Sequence, residues 1–264
     1  MKEHITDVLE SIEKDHDVKI LYACESGSRA WGFPSQDSDY DVRFLYVHKL
    51  DWYLSIDKKR DVIEVPKHDR ISIPVDDLLD VSGWELTKAL RLFRKSNPPL
   101  LEWLRSGIVY YQSGTAVQKL SELSKAVFSP VSGIYHYLNM AKGNYREYLQ
   151  GENVKIKKYF YVLRPVLAAK WIEERGSFPP MEFRTLVEEL LPDGALKNEI
   201  DLLLKRKMAG DELNLETRID VINVFLDREL VRLENYAESL HLKVEDPTPE
   251  LNKLFRDILE EAWQ

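Results

Sequence analysis

Cysteine is nearly absent: Cys24 is the only one among 264 residues, so neither an internal disulfide nor a cysteine-based zinc site can form. Cys24 lies in an apolar run and reads as a small buried thiol. Histidine is also scarce, six residues without one H-x-x-x-H pair, which argues against a histidine zinc site. No window of about 18 uncharged apolar residues exists, so no membrane-spanning helix is expected. The amino-terminal stretch MKEHITDVLESIEKDHD is charged throughout and lacks the apolar core of a signal peptide. The expectation is a cytoplasmic protein with no membrane partner. Three nucleotide or metal signatures are missing as well: G-x-x-x-x-G-K-[ST], G-x-G-x-x-G and H-E-x-x-H. Gly27-Ser28 is followed by Arg29-Ala30-Trp31 rather than Lys-Ser/Thr, which argues against a P-loop kinase or ATPase.

What is present is ordinary in bulk and uneven in detail. Apolar residues make up 44% and charged residues 31%, a globular balance in a chain long enough to bury a full core. The net charge of −8 argues against a protein that coats nucleic acid without specificity. Between Asn139 and Arg175, however, eight Lys/Arg face four Asp/Glu, a local +4 that leaves −12 elsewhere. An anionic partner is favoured there.

Ile5, Val8, Leu9 and Ile12 follow helical spacing, and Val18–Cys24 is short, apolar and rich in strand formers. A turn-rich stretch, Glu25 to Ser38, leads into a second strand pattern at Asp39–Val47. Residues 51 to 82 read as extended segments, Trp84–Lys95 and Pro98–Arg105 as helices with a stop at Ser96-Asn97-Pro98. After about Gly114 nearly everything reads as helix: 115–127, 131–150, 154–175, 181–190, 195–207, 214–240 and 248–262. The pattern predicts an α/β or α+β domain over 1–114 and a helical domain over 115–264. The stripe Leu251, Leu254, Phe255, Ile258 and Leu259 predicts a final helix packed on the helical bundle.

The stretch that carries chemistry is Gly27-Ser28 followed eleven residues later by Asp39-Tyr40-Asp41-Val42. On a strand, Asp39 and Asp41 project from one face. Two neighbouring carboxylates repel without a cation, and hard divalent metals prefer such ligands, shared with substrate phosphates. A Gly-Ser pair after a buried strand lets backbone N–H groups and a hydroxyl approach a phosphate. The two together suit phosphoryl transfer, in which positioning and charge neutralisation do most of the catalysis.

Gly-Ser, a spacer, then Asp-x-Asp on a strand resembles the signature of the polymerase-β-like nucleotidyltransferases. Gly27-Ser-Arg-Ala-Trp-Gly32 with Ser38-Asp-Tyr-Asp-Val-Arg43 is more closely similar to a bacterial and phage subfamily associated with RNA repair. The blocks Asp80-Val-Ser-Gly-Trp-Glu-Leu-Thr-Lys88, Ser96-Asn-Pro98 and Leu101-Glu-Trp-Leu104 resemble the same group. The resemblance implies a mixed sheet with helices and a following all-helical domain that closes the active-site cleft. It further implies Mg²⁺ (or Mn²⁺) on Asp39, Asp41 and a third acid, with an NTP as substrate. Asp80 is where the resemblance places that acid; Asp76, Asp77 and Glu85 are competitors that a cap or solvated turn would also explain.

Arg43 follows the carboxylates on their face, either to contact a phosphate or to neutralise them when no metal is bound. Arg29 either forks onto a phosphate or forms a surface salt bridge. Trp31 either stacks on a base or packs beneath the loop. Lys157, Tyr161 and Arg164, spaced i, i+4, i+7, share a helix face that could meet a triphosphate or an acidic acceptor. The expected reaction is NMP transfer from an NTP to an acceptor hydroxyl, with release of pyrophosphate. The acceptor stays open between an RNA 3′ end, a partner protein that would be AMP-modified, and a small molecule. A non-catalytic nucleotide-sensing module is the rival from another class.

Overall fold

A computed structural model describes residues 1–211, 215–241 and 246–264, and its backbone groups into two compact units. The first comprises 1–30, 38–127 and the described stretch from 246. It begins with α1 (Lys2–His16) and β1 (Val18–Glu25), continues through α2 (Gly27–Ala30), β2 (Tyr40–His48), α3 (Leu50–Tyr53), β3 (Val62–Val65) and β4 (Leu79–Glu85), and then α4 (Leu86–Arg94), α5 (Pro98–Trp103), β5 (Val109–Gln112) and α6 (Ala116–Val127). The sheet order is β3-β4-β2-β1-β5. The β2–β4 pair is parallel and the other pairs are antiparallel, so the sheet is mixed as expected.

The local sequence accounts for these elements. Ile5, Val8, Leu9 and Ile12 bury one face of α1, in one cluster with Val18, Ile20, Val42, Phe44 and Tyr46 of the sheet. β1 is buried at every position but Lys19, which explains its nearly unbroken apolar run. In β4 buried and half-buried residues alternate, the signature of a strand with one covered face. Glu85 ends β4 and caps α4, accepting hydrogen bonds from the Thr87 and Lys88 amides. That cap moves the start of α4 to Leu86 and leaves Trp84 and Glu85 in the strand.

The second unit comprises residues 31–37 and 128–241. It contains α7 (Pro130–Tyr148), β6 (Asn153–Lys155), α8 (Lys158–Arg175), α9 (Phe183–Leu190), α10 (Ala195–Ala209), β7 (Leu215–Thr217) and α11 (Asp220–Ser239). α8 is buried without interruption from Val162 to Ala169, as befits the central helix of a bundle. The helical expectation misses a two-stranded ladder, β6 with β7. Three-residue strands are too short for alternation to register. Residue 214, where one expected helix began, lies outside the described residues.

The chain closes with α12 (Thr248–Ala262), and here one expectation is corrected: its apolar stripe packs on α4 of the first unit. The Phe255 ring lies 5.1 Å from Tyr53, Trp263 Nε1 donates to the His48 carbonyl at 2.9 Å, and Arg94 donates to Thr248 Oγ1 at 2.9 Å. Amphipathicity shows that a face is buried; it is silent about the partner. The compact units accordingly divide the chain differently from a single break near residue 114, because α6 packs on β1. Among the described residues no helix is long and apolar enough to cross a membrane.

Candidate active site

β1 ends at Glu25, and the turn that follows brings the chain back against β2. The Ser26 amide donates to the Asp41 carbonyl at 2.8 Å. Gly27 has φ of 58°, and a Cβ added there would lie 1.9 Å from Asp41 Oδ2. Glycine is therefore required twice, by its backbone conformation and by the carboxylate pressed against it. The close approach expected between Gly27 and a phosphate is, in this structure, an approach to Asp41. Ser28 remains partly exposed in the same turn.

Arg29 is neither free nor ion-paired at the surface. Its Nη2 and Nε donate to the carbonyls of Ser38 (2.7 Å) and Asp39 (3.1 Å), and its guanidinium lies 3.6 Å over the Tyr40 ring. It ties the outgoing turn to the returning chain. Asp39 is exposed immediately before β2, and Asp41 is half-buried within it.

The parallel ladder sets Asp41 opposite Asp80. Arg43 stands between them: its Nη2 reaches Asp41 Oδ1 at 3.0 Å and Asp80 Oδ2 at 3.3 Å. Its Nη1 donates to the carbonyls of Asp80 (2.7 Å) and Val42 (3.0 Å). Of its two expected roles, Arg43 is found neutralising the carboxylates. The competing acids are engaged elsewhere or exposed: Glu85 caps α4, Asp76 accepts from the Leu78 amide, and Asp77 faces solvent.

Burial is the main reason the Asp41 carboxyl sits above the usual carboxylate range. Arg43 opposes that rise, and the charges of Asp80 and Asp39 add to it. The group thus lacks positive charge where it is least hydrated. Its donors are carboxylate oxygens, the set a hard divalent cation takes, and a guanidinium already bridges two of them. Among the described residues no three His, Cys, Asp or Glu side chains come close enough to share one ion. The pair formed by Asp41 and Asp80 suits the mode in which Mg²⁺ takes one or two carboxylates and completes its shell with water and phosphate.

Two residues at this site escaped the sequence reading. Glu25, fully buried, accepts the Asp41 amide on Oε1 at 2.7 Å and the Tyr110 hydroxyl on Oε2. Burial, more than any neighbour, pushes its carboxyl up. An acid closing an otherwise apolar strand was the available signal. Lys67 brings its Nζ to 3.7 Å from Asp80 Oδ2; nothing in its local sequence marks it.

The residues expected on α8 separate. Lys157 and Tyr161 are exposed, whereas Arg164 is 2% exposed, its guanidinium 5.1 Å from the Trp31 ring and 5.7 Å from that of Tyr137. Regular spacing on a helix buried nearly all round does not make a common solvent face. Trp31 packs beside Phe33 and Tyr161.

The mixed sheet that carries this Gly-Ser turn and these facing aspartates has the fold class of a polymerase-β-type nucleotidyltransferase. More narrowly, the chain belongs to the RNA repair pathway DNA polymerase beta family, whose model matches residues 1–257. It is 56% identical over 264 residues to the uncharacterized protein YcgL of Bacillus subtilis (strain 168), covering 100% of this chain and 98% of that one. The crystal structure of a nucleotidyltransferase-like protein from Exiguobacterium sibiricum 255-15 aligns with 98% of this chain and 81% of its own, at 12% identity and a TM-score of 0.32.

Proposed function

We propose that this nucleotidyltransferase transfers an NMP from an NTP to an acceptor hydroxyl and releases pyrophosphate, with an RNA 3′ end as the acceptor. The observation that carries the reading is the register of Asp41 with Asp80, bridged by Arg43 and backed by Gly27. The acceptor oxygen forms a bond to the α-phosphorus as the bond from that phosphorus to the pyrophosphate oxygen breaks. Asp41 and Asp80 would hold Mg²⁺ (or Mn²⁺) through their carboxylate oxygens, with Asp39 exposed just ahead of them as a further acid for the cation. That cation supplies neutralisation of phosphate charge and a more acidic acceptor hydroxyl.

Asp80 accepts the hydroxyl proton on a carboxylate oxygen. Ser28 and the Gly27 turn orient the phosphates, and Arg29 contributes by fixing the chain at Ser38 and Asp39. Arg43 is the charge the carboxylates hold before substrate arrives. Within the helical unit, Lys157 and Tyr161 are exposed and are candidates for contact with an anionic ligand, whereas Arg164 is buried beside Trp31.

Membership of an RNA repair pathway family favours RNA as acceptor. The test is incorporation of α-labelled ATP, GTP, CTP and UTP with Mg²⁺ or Mn²⁺, against pooled RNA and whole-cell lysate. Asp39→Asn and Asp41→Asn run beside the wild type. Label on RNA, lost in both variants, is the expected result. Label on a protein band instead would make the enzyme a protein modifier; nucleotide binding without incorporation would make it a sensor.

A further inference from the structure

The chain between the Gly-Ser turn and the carboxylates takes an unexpected course. Residues 31–37 belong to the helical unit, although Ala30 before them and Ser38 after them belong to the catalytic unit. Phe33 is the centre of this excursion. It is 3% exposed, stacks on Phe160 with centroids 4.9 Å apart, and meets Phe183 edge-on at 5.6 Å.

The segment is held at both ends as well. The Phe183 amide donates to the Trp31 carbonyl at 2.9 Å, and the Arg164 guanidinium lies 5.1 Å from the Trp31 ring. Lys207 Nζ donates to Ser35 Oγ at 2.7 Å, and Ser35 is 6% exposed. A seven-residue surface connector would need none of this; loops ordinarily stay solvated and mobile.

The flanks are where precision matters. Three residues before Ala30 is Gly27, whose Cα is packed against the Asp41 carboxylate; directly after Ser38 comes Asp39. Any slack in 31–37 passes by covalent connection to both. We propose that Phe33 is a positioning residue. Seated in the core of the helical unit, it fixes the path of the connector and thereby the spacing of the Gly27 turn from Asp39 and Asp41. Ser35, through Lys207, is the second grip.

The test compares full-length wild type with Phe33→Ala, Phe33→Leu and Ser35→Ala by residue-resolved amide hydrogen exchange. The reporters are Ser26, whose amide is bonded to the Asp41 carbonyl, and Asp41, whose amide is bonded to Glu25. Neither lies in the connector or the helical unit. In Phe33→Ala both should exchange about tenfold faster, while amides in the middle of β1 and β2 keep their wild-type rates. Phe33→Leu should restore most of the protection, and Ser35→Ala should show a smaller rise at the same two amides.

A merely structural Phe33 would speed exchange near Phe160 and Phe183 and leave Ser26 and Asp41 unchanged, and that result overturns the proposal. If Phe33→Ala does not fold, Phe33→Leu and Ser35→Ala decide by the same two amides. A second arm, which rests on the proposed function, measures NMP transfer. The expected loss in Phe33→Ala is about tenfold or more in kcat with little change in KM for the NTP. A wild type that transfers nothing sinks that function and leaves the exchange result to judge Phe33 by itself.

Discussion

Two clusters of charge in this chain follow opposite rules. In the helical unit, Arg232, Lys170 and Arg228 face Glu173, Glu174 and Glu229; Arg232 reaches Glu229 at 2.7 Å, and Glu229 is nearly fully buried. Every charge there has an opposite neighbour, and hydrogen bonding to Glu173 holds the Arg232 guanidinium more firmly protonated still. In the first unit, Asp41 and Asp80 flank Arg43, the charge of Asp39 acts on Asp41, and Lys67 stands only at the rim. That cluster is short of positive charge and half-open. A cluster closed in charge is a structural device, whereas one left open in charge leaves work for a ligand.

The sharpest way to break the comparison is to remove one charge from the open cluster. Asp41→Asn should lower NMP transfer by about 100- to 1,000-fold while the apo protein stays folded and gains stability, because burial makes the ionised form costly. Loss of both transfer and fold would mean the cluster is structural after all. Gly27→Ala comes next. Its Cβ, aimed at Asp41 Oδ2 from a left-handed backbone, should displace the carboxylate and lower transfer by about 10- to 100-fold. Calorimetry should find a smaller thermal effect than transfer kinetics do.

The open cluster was largely legible in the sequence, and the closed one was not. Asp39, Asp41 and Arg43 are local in sequence, and strand alternation put Asp41 and Arg43 on one face. Asp80 needed the family resemblance, because only the parallel β2–β4 register makes it the neighbour of Asp41. Lys67 was invisible for the same reason, and Glu25 showed only as an acid closing an apolar strand, since both roles depend on partners in other strands. On α8, spacing suggested a face for Lys157, Tyr161 and Arg164, but burial of the whole middle of the helix overrode it. Phe33 lay in a stretch read only as turn, and no local pattern announces that a loop enters another unit's core.

The closed cluster makes the opposite prediction. Arg232→Met should leave Glu229 without its closest cation and cost about 2 kcal/mol in urea unfolding, less than a fully buried pair would because Arg232 is 38% exposed. Transfer per folded molecule should be unchanged; a loss matching that of Asp41→Asn would erase the distinction between the clusters. Glu25 tests the border between them. Glu25→Ala leaves the Asp41 amide and the Tyr110 hydroxyl without an acceptor, at a cost of about 1–3 kcal/mol. Glu25→Gln keeps an acceptor for the amide and should recover most of that stability and most of the transfer rate.

The smallest effect is also the most specific. Folding raises the Asp41 carboxyl above its ordinary value, with burial first among the causes, so around and above pH 4 the folded state binds protons more tightly than the unfolded one. Stability contributed by this group is therefore lost as pH rises from the ordinary carboxylate range through the elevated folded value. Acids elsewhere are shifted the other way, Asp37 and Glu216 among them, so the overall profile mixes both signs. The difference between wild type and Asp41→Asn isolates the one that matters. In EDTA, the urea midpoint of wild type minus that of the variant should become more negative as pH climbs through that window. Saturating Mg²⁺ should abolish the slope, since a bound cation supplies the charge the cluster lacks. A slope indifferent to Mg²⁺ would place the cation somewhere other than Asp41.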